Sequence, residues 1–320
     1  MKLVIVESPA KAETINRYLG DDYKVVASVG HIRNLIRKQG SVQPESDFKM
    51  LWETDKNKNK VLKEIIDNTK KSETIILATD PDREGEAISW HLKEFLEQKN
   101  MLNSKEVQRV SFNEITKPAV INAMETPRDI NDELVNAYKA RTALDYLVGF
   151  EISPILWKKL SNNSRSAGRV QSVALKLICE REIEIEKFNI EEYWSIKGVF
   201  SNDKKEIFNA RLTIFNSAKL KKMDIKSQKE ANITLDKINS CDFKISKIQK
   251  KRVKRNPLPP YTTSTLQQDA SNKLGFGASR TMSIAQKLYE GINIGSQITG
   301  LITYMRTDAV QLSSSSINSI

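Results

Sequence analysis

The first third of the chain alternates between short apolar runs and amphipathic stretches. The apolar runs predict four buried strands, over residues 3–7, 24–28, 74–79 and 107–112. Ser8 is a good helix N-cap and Pro9 suits the first helical turn, which predicts a helix that ends at Gly20. Apolar side chains at helical spacing predict a second helix over 84–98. Strands that alternate with helices in this way predict a mostly parallel α/β sheet.

The rest of the chain changes its pattern at least twice. Residues 130–187 keep helical spacing, whereas 191–253 is strand-like with a lysine-rich helix predicted near 219–238. Prolines at 257, 259 and 260 mark a boundary, and residues 262–289 are again helical with a break at 275–277. The polar, lysine-rich stretch 38–68 is expected to be an insertion on the surface. The pattern therefore predicts a multidomain chain of α/β, α and β parts.

Composition narrows the class of protein. The chain has 320 residues, of which 39% are hydrophobic and 28% charged, so it is neither disordered nor fibrous. No apolar stretch approaches the roughly 20 residues that a membrane span needs, and the first apolar run reaches Glu7 too soon for a signal peptide. Two cysteines cannot build a disulfide framework. We expect a soluble, cytoplasmic, multidomain protein.

The net charge of +11 is concentrated in one segment. Residues 201–255 hold 16 Lys+Arg and 6 Asp+Glu, which accounts for all but one of the excess positive charges. The densest part is 244–255, with seven basic residues and no acid. A basic run of this kind suits a nucleic-acid partner, and a solvated lysine-rich surface is the plain alternative.

Carboxylates follow two of the predicted strands. Asp80, Asp82 and Glu84 come directly after the strand over 74–79, and Glu7 ends the first strand. Carboxyl ends of parallel strands share one edge of a sheet, so we expect Glu7 and Asp80 to lie close together. Clustered carboxylates repel unless a cation is present, and oxygen ligands suit Mg²⁺. The alternative for the acids after 79 is helix capping without a metal.

This acidic pattern resembles the Toprim domain, which topoisomerases, primases and some nucleases share. The run Gly300-Leu301-Ile302-Thr303-Tyr304-Met305-Arg306-Thr307-Asp308 is similar to the active-site segment of type IA DNA topoisomerases. Met305 resembles the bacterial topoisomerase I branch, because the topoisomerase III branch usually has proline there. Four further motifs match in family order: residues 30–33, 111–116, 166–172 and 263–268 followed by 274–277. The chain is thus identified as a member of the bacterial type IA topoisomerases.

The resemblance implies a fold and four domains. A Toprim (Rossmann-like) α/β domain over 1–128 is followed by the first part of the helical DNA-binding domain over 129–190. A basic, β-rich arch domain is expected over 191–260, and an incomplete active-site tyrosine domain over 261–320. Family members continue beyond the point that corresponds to Ile320, so the sequence predicts a truncated chain whose activity alone is doubtful.

The resemblance also implies site residues. Tyr304 is expected to be the nucleophile that forms a 5′-phosphotyrosine, with Glu7 as general acid and Arg306 and Lys11 at the phosphate. The expected magnesium ligands are Glu7, Asp80, Asp82 and Glu84. The expected DNA-binding residues are His31, Arg33, Arg141, Asp145, Arg169, Gln171 and Ser172.

Several of these residues have plainer alternatives. His31 could be a turn histidine with ordinary partners, and Arg169 a surface residue at a helix start. Arg141 and Asp145, spaced four apart, could form only a helix-surface ion pair.

The implied reaction is ATP-independent relaxation of negatively supercoiled DNA, with a single-stranded segment as substrate and Mg²⁺ as cofactor. No nucleotide cofactor and no membrane are expected, and the protein is expected to be a monomer near the nucleoid. The rivals are a topoisomerase III-like decatenase and a non-catalytic DNA-binding fragment.

Overall fold

The structure is a computed structural model that describes residues 1–160, 166–295 and 297–320. The predicted helical stretch 130–187 therefore includes five residues, 161–165, that lie outside the described part. The helices are α1 (Pro9–Leu19), α2 (Asn59–Lys70), α3 (Arg83–Gln98), α4 (Lys117–Glu125), α5 (Asp132–Lys159), α6 (Arg169–Glu186), α7 (Gln228–Asn239), α8 (Thr263–Leu274), α9 (Ala278–Glu290) and α10 (Ser314–Ser319). The strands are β1 (Lys2–Val6), β2 (Tyr23–Ala27), β3 (Arg33–Leu35), β4 (Val42–Gln43), β5 (Lys49–Met50), β6 (Trp52–Thr54), β7 (Thr74–Leu77), β8 (Glu106–Arg109), β9 (Lys197–Ser201), β10 (Ile207–Arg211), β11 (Ile214–Phe215), β12 (Ala218–Lys219), β13 (Ile292–Ile294) and β14 (Gln297–Thr299).

Four parallel strands form the central sheet, in the order β2-β1-β7-β8. This confirms the predicted α/β part, with strand bounds shifted by a few residues. Residues on β1 alternate between two cores: Val4 packs with Ile15 of α1, while Ile5 packs with Leu92 of α3. Both faces are covered, which explains why these strands are apolar without interruption.

Helix α1 begins as its sequence predicts. The Ser8 side chain accepts a hydrogen bond from the Lys11 N–H at 3.3 Å, and Pro9 occupies the first turn. Gly20 ends the helix with φ 77°, a backbone conformation that favours glycine.

The prediction for residues 38–68 is wrong in one respect. The stretch is not only a surface insertion, because α2 packs Leu62 and Ile65 into the core on one face of the sheet. Apolar side chains at positions 62, 65 and 66 give α2 an amphipathic face, which the surrounding lysines obscure in the composition.

The chain divides into two compact units. One comprises Met1–Gln171 with Pro257–Ile320, and the other comprises Ser172–Asn256. The four domains expected from the sequence, with their bounds, stay a prediction.

The second unit begins with most of α6 and continues into the short strands β9 to β12. Strands β9 and β10 pair antiparallel, and α7 begins at Gln228, later than the helix predicted from residue 219. The basic run 244–255 is exposed and has no regular secondary structure. Among the described residues, no helix has both the length and the apolar character needed to cross a membrane.

Candidate active site

Glu7 and Asp80 meet at the carboxyl edge of the sheet, as the sequence predicts. Ile5 of β1 pairs with Leu77 of β7, so the residues that follow the two strands emerge side by side. The Glu7 carboxylate accepts a hydrogen bond from the Asp80 N–H at 3.0 Å. Two segments separated by more than 70 residues are thereby joined at one point.

Lys11 joins the same two carboxylates from α1. Its Nζ donates to Glu7 and, at 2.5 Å, to Asp80 Oδ1, and its side chain is fully buried. Burial disfavours the ammonium, but the charges of Glu7 and Asp80 outweigh it and raise the pKa of Lys11. Lys11 is therefore a fixed positive charge at the edge of the sheet.

Burial has the opposite consequence for Glu7. Loss of water raises the pKa of Glu7 to about 8, with Asp80 adding to the shift and Lys11 opposing it. Glu7 can therefore hold a proton near neutral pH, which a general acid must do.

The segment of residues 80–84, which follows β7 and is called the acidic loop below, carries Asp82. Asp82 connects this loop to the predicted nucleophile, Tyr304. Its Oδ1 accepts the Gly85 N–H at 2.9 Å, so it caps α3, and its Oδ2 accepts the Tyr304 hydroxyl at 2.6 Å. Arg306 Nη1 lies 3.5 Å from the same Oδ2. The capping alternative is confirmed for Asp82, and its second oxygen still faces the tyrosine.

Tyr304 is nearly buried between α9 and the acidic loop. Its N–H donates to the Asn113 carbonyl at 2.7 Å, and its ring meets the Tyr289 ring edge-on with centroids 5.2 Å apart. Burial, followed by the charge of Asp80 and the bond to Asp82, raises the pKa of Tyr304, while Arg306 opposes the rise. The phenol is therefore neutral at rest and needs a proton acceptor during attack.

Tyr289 is a residue that sequence reasoning missed. It is fully buried, its hydroxyl donates to the Phe112 carbonyl at 2.9 Å, and Lys11 Nζ lies 5.1 Å from its ring centroid. It thus contacts both Lys11 and Tyr304. Nothing in the helical pattern of α9 distinguishes it from an ordinary core residue.

Sequence reasoning also missed a buried ion-pair network that Arg109, Glu86 and Arg128 form next to the acidic loop. Arg109 Nη2 donates to the Asp80 carbonyl at 2.7 Å and its Nε to Glu86 at 3.1 Å. Arg128 donates to both carboxylate oxygens of Glu86, from Nη1 at 2.8 Å and from Nη2 at 2.9 Å. Burial alone would raise the pKa of Glu86, but Arg128 and Arg109 hold it below its ordinary value. The network fixes the end of β7.

Most of the predicted catalytic and metal residues line one cavity of about 1120 Å³. Its charged and catalytic lining comprises Glu7, His31, Asp80, Asp82, Arg83, Glu84, Arg141, Glu290, Tyr304, Arg306 and Asp308. Lys11 lies just behind the wall, bonded to Glu7 and Asp80.

The predicted magnesium ligands are not gathered into one group. Glu84 Oε2 lies 3.4 Å from His31 Nε2, whereas Asp82 is bonded to Gly85 and Tyr304. Within the described ranges, no three His, Cys, Asp or Glu side chains lie close enough together to hold a metal ion. The donor chemistry nevertheless fits Mg²⁺, because carboxylate oxygens line an open cavity.

The predicted DNA-binding residues fall into three places. His31 and Arg141 line the cavity. Asp145 accepts from Arg169 Nε at 2.8 Å and lies 3.7 Å from Arg141 Nε, so the expected helix-surface pair exists and includes a second arginine. The remaining three lie elsewhere: Arg33 is paired with Glu94 at 2.5 Å, Gln171 donates to the Ser166 carbonyl at 2.9 Å, and Ser172 belongs to the second unit.

Two family comparisons cover nearly the whole chain. Residues 2–115 match the Toprim domain, and residues 129–320 match the family described as DNA topoisomerase. These matches confirm the predicted fold class, a Toprim domain followed by a type IA topoisomerase part.

Individual relatives give the same result. DNA topoisomerase 1 of Rickettsia bellii is 56% identical over 321 residues, which cover 100% of this chain and 40% of that protein. DNA topoisomerase 1 of Zymomonas mobilis is 53% identical over 317 residues, covering 99% of this chain and 25% of that protein. The structure of full-length topoisomerase I from Thermotoga maritima superposes with a TM-score of 0.81 at 39% identity, covering 99% of this chain and 51% of that one.

The chain thus spans about two fifths of the length of its Rickettsia relative. The DNA topoisomerase match covers more than half of the chain. Tyr304, Arg306 and the predicted acidic residues line one cavity. The chain belongs to the type IA DNA topoisomerase family.

Proposed function

We propose that this chain forms the cleavage centre of a topoisomerase that relaxes negatively supercoiled DNA without ATP. A transient single-strand break, strand passage and religation make up the reaction. The observation that supports this is the 2.6 Å hydrogen bond from the Tyr304 hydroxyl to Asp82, in the cavity that Glu7, Asp80 and Arg306 also line. We propose strand passage for a protein of the length of the relatives, since this chain spans about two fifths of the Rickettsia protein.

Cleavage would begin with attack of Tyr304 Oη on a backbone phosphorus. The new bond is a 5′-phosphotyrosine, and the bond to the 3′ oxygen breaks. The phenol proton has an acceptor in Asp82 Oδ2, and the leaving 3′ oxygen takes a proton from Glu7. Religation runs in reverse, with Glu7 as base.

Positive charge at the cavity would stabilise the phosphate. Lys11 bonds to Asp80, and Arg306 lies 3.5 Å from Asp82. Preorganised cations of this kind stabilise charge that develops in the transition state without reorganisation.

Asp80, Asp82 and Glu84, together with Glu7, would hold Mg²⁺. Toprim domains generally bind this ion, and it would supply charge that orients DNA for closing the break.

The substrate would be a single-stranded segment of DNA. His31 and Arg141 would contact the strand in the cavity, with Asp145, Arg169, Gln171, Ser172 and Arg33 further along. We place the protein in the cytoplasm on nucleoid DNA, as a monomer that needs no nucleotide.

A 3′-labelled single-stranded oligonucleotide tests the proposal. After denaturation, label that stays on the protein reports the 5′-phosphotyrosine bond. We expect an adduct from the chain extended to the length of its relatives, and none from the same protein with Tyr304→Phe. An adduct that persists in Tyr304→Phe, or no adduct from the extended chain, would contradict the assignment.

A further inference from the structure

A second cavity lies on the first unit, away from the acidic loop. Its volume is about 890 Å³, and it opens between α3, α5 and the short strands β3, β5 and β6. It shares no lining residue with the cavity of Tyr304. Volumes of 300–1000 Å³ are typical of small-ligand sites.

Aromatic side chains form much of its wall. Trp52 and Trp90 line it, with ring centroids 5.9 Å apart and planes at 73°. Lys139 and Arg33 lie over the Trp90 ring, so the two tryptophans shape the wall of the cavity.

Phe48 stands at the cavity with 55% of its surface exposed. It and Asp47 both have left-handed backbone conformations, with φ of 53° and 54°. Such a conformation is uncommon for residues other than glycine, and strained backbone often marks a functional site. An exposed phenylalanine held on a strained turn is well placed to stack on a flat ring.

The charges of the wall favour an anion. Lys139 Nζ lies 4.1 Å from the Trp90 ring centroid, and neither it nor Lys49 has a carboxylate partner among the described residues. Arg33 Nη1 lies 2.5 Å from Glu94 Oε2, so these two opposite charges offset each other. Among the described residues of the wall, Asp47 is then the one acid without a basic partner. Two ammonium groups that lack a carboxylate partner among the described residues, one of them over an aromatic ring, suit a flat ligand that carries a negative group.

We propose that this cavity binds a nucleobase that carries a phosphate, with the base on Phe48 and the phosphate near Lys139. A free nucleotide and a nucleotide within a single strand share this chemistry. Base stacking on aromatic side chains combined with nearby cations is the general mode of single-strand binding. The site does not depend on cleavage by Tyr304.

Calorimetric titration of the chain with adenosine monophosphate and with a six-residue deoxyadenylate tests the proposal. Adenosine and ribose 5-phosphate, each with one half of the recognised chemistry, are expected to bind at least about tenfold more weakly than the monophosphate. Saturable binding of the monophosphate assigns a free nucleotide, whereas saturable binding of the oligonucleotide alone assigns a strand.

Two variants locate the binding. Phe48→Ala is expected to weaken it about fivefold or more, the lower limit for loss of one stacked base. Lys139→Met, which keeps the apolar stem, is expected to weaken binding and to lower its salt dependence by about one ion. Phe188→Ala, at a phenylalanine that is 72% exposed outside the cavity, and Lys63→Met on α2 are matched controls that keep wild-type affinity.

Absence of saturable binding by either ligand, or equal affinity in wild type and both cavity variants, would overturn the proposal. Phe48 is more than half exposed, so its truncation leaves the core intact, and circular dichroism checks this. Tyr304→Phe keeps nucleotide binding, because Tyr304 does not line this cavity. Failure of nucleotide binding and failure of adduct formation are therefore separate results.

Discussion

Buried charges decide the chemistry at the level of single residues. The Lys11 ammonium is fully buried yet charged, because the side chains of Glu7 and Asp80 both bond to it. Removal of either carboxylate would leave a buried charge with a single partner, and unpaired buried charges are strongly destabilising. Lys11 thus fixes Glu7 and Asp80 before any substrate arrives.

His91 shows how burial changes the pKa of a side chain that has no hydrogen-bond partner among the described residues. It is fully buried, and its two ring nitrogens have no hydrogen-bond partner in the described part of the chain. Burial, followed by the nearby side chains of Arg33, His31 and Lys139, lowers the pKa of His91 to about 2. The ring is therefore neutral in the folded protein across the physiological range.

The lowered pKa of His91 predicts that the folded protein loses stability in acid. Below an unfolded-state pKa near 6.5 the unfolded chain binds a proton at His91 that the folded chain does not. The free energy of unfolding should fall by about 1.4 kcal/mol for each pH unit below that value. Urea unfolding of wild type and His91→Phe between pH 7.5 and 5 measures the effect. Parallel pH profiles of the two proteins would contradict it.

At the level of elements, the turn from β7 into α3 carries the acidic motif. Thr79 Oγ1 donates to the Gly85 carbonyl at 2.6 Å, and the Gly85 N–H donates to Asp82. A Cβ on Gly85 would lie 2.2 Å from the Asp80 carbonyl oxygen, much closer than any real contact. Close approach of two backbone segments, not a positive φ, requires the glycine.

Gly85→Ala is therefore expected to lower the free energy of unfolding by about 1–3 kcal/mol, because the turn must open. Urea denaturation measures it. Gly149→Ala on α5 is a matched control, since no heavy atom lies within 4 Å of its new Cβ. That control should gain about 0.5–1 kcal/mol from helix propensity. A Gly85→Ala variant as stable as wild type would show that the turn is not closely packed.

At the level of the whole molecule, chemistry and charge are divided between the two units. The carboxylates, Lys11 and Tyr304 belong to the first unit, and the basic run 244–255 belongs to the second. The excess of positive charge therefore does not locate the candidate active site.

Neutralising part of the basic run should weaken DNA binding modestly. Replacement of Lys250, Lys251, Arg252, Lys254 and Arg255 by glutamine is expected to reduce the salt slope for single strands by at most about 3.5, or about 0.7 for each lost phosphate contact. Fluorescence anisotropy over a salt series measures the slope.

A control of equal charge change replaces Lys56, Lys60, Lys63, Lys70 and Lys71 on the first unit. An equal loss of slope in the control would show that net charge, and not this run, sets the affinity.

The sequence predicted that certain side chains lie near one another but not the contacts that join them. Glu7 and Asp80 were placed together because the ends of parallel strands share an edge, and Tyr304 was identified from its motif. The bond from Tyr304 to Asp82 spans 222 residues, and no periodicity encodes such a contact. Tyr289 and the Arg109–Glu86–Arg128 network were missed for the same reason.

By itself, the sequence determined the local structure, the family and the residue types of the site. Local hydrogen bonds and side-chain period suffice for the local structure, as the Ser8 cap and the strand ends show, and the matching motifs suffice for the family and the residue types. The tertiary structure alone decided which groups are buried together, and so the raised pKa of Glu7, the paired charge of Lys11 and the neutral ring of His91. Desolvation depends on every segment packed around a group, and only the folded chain brings those segments together.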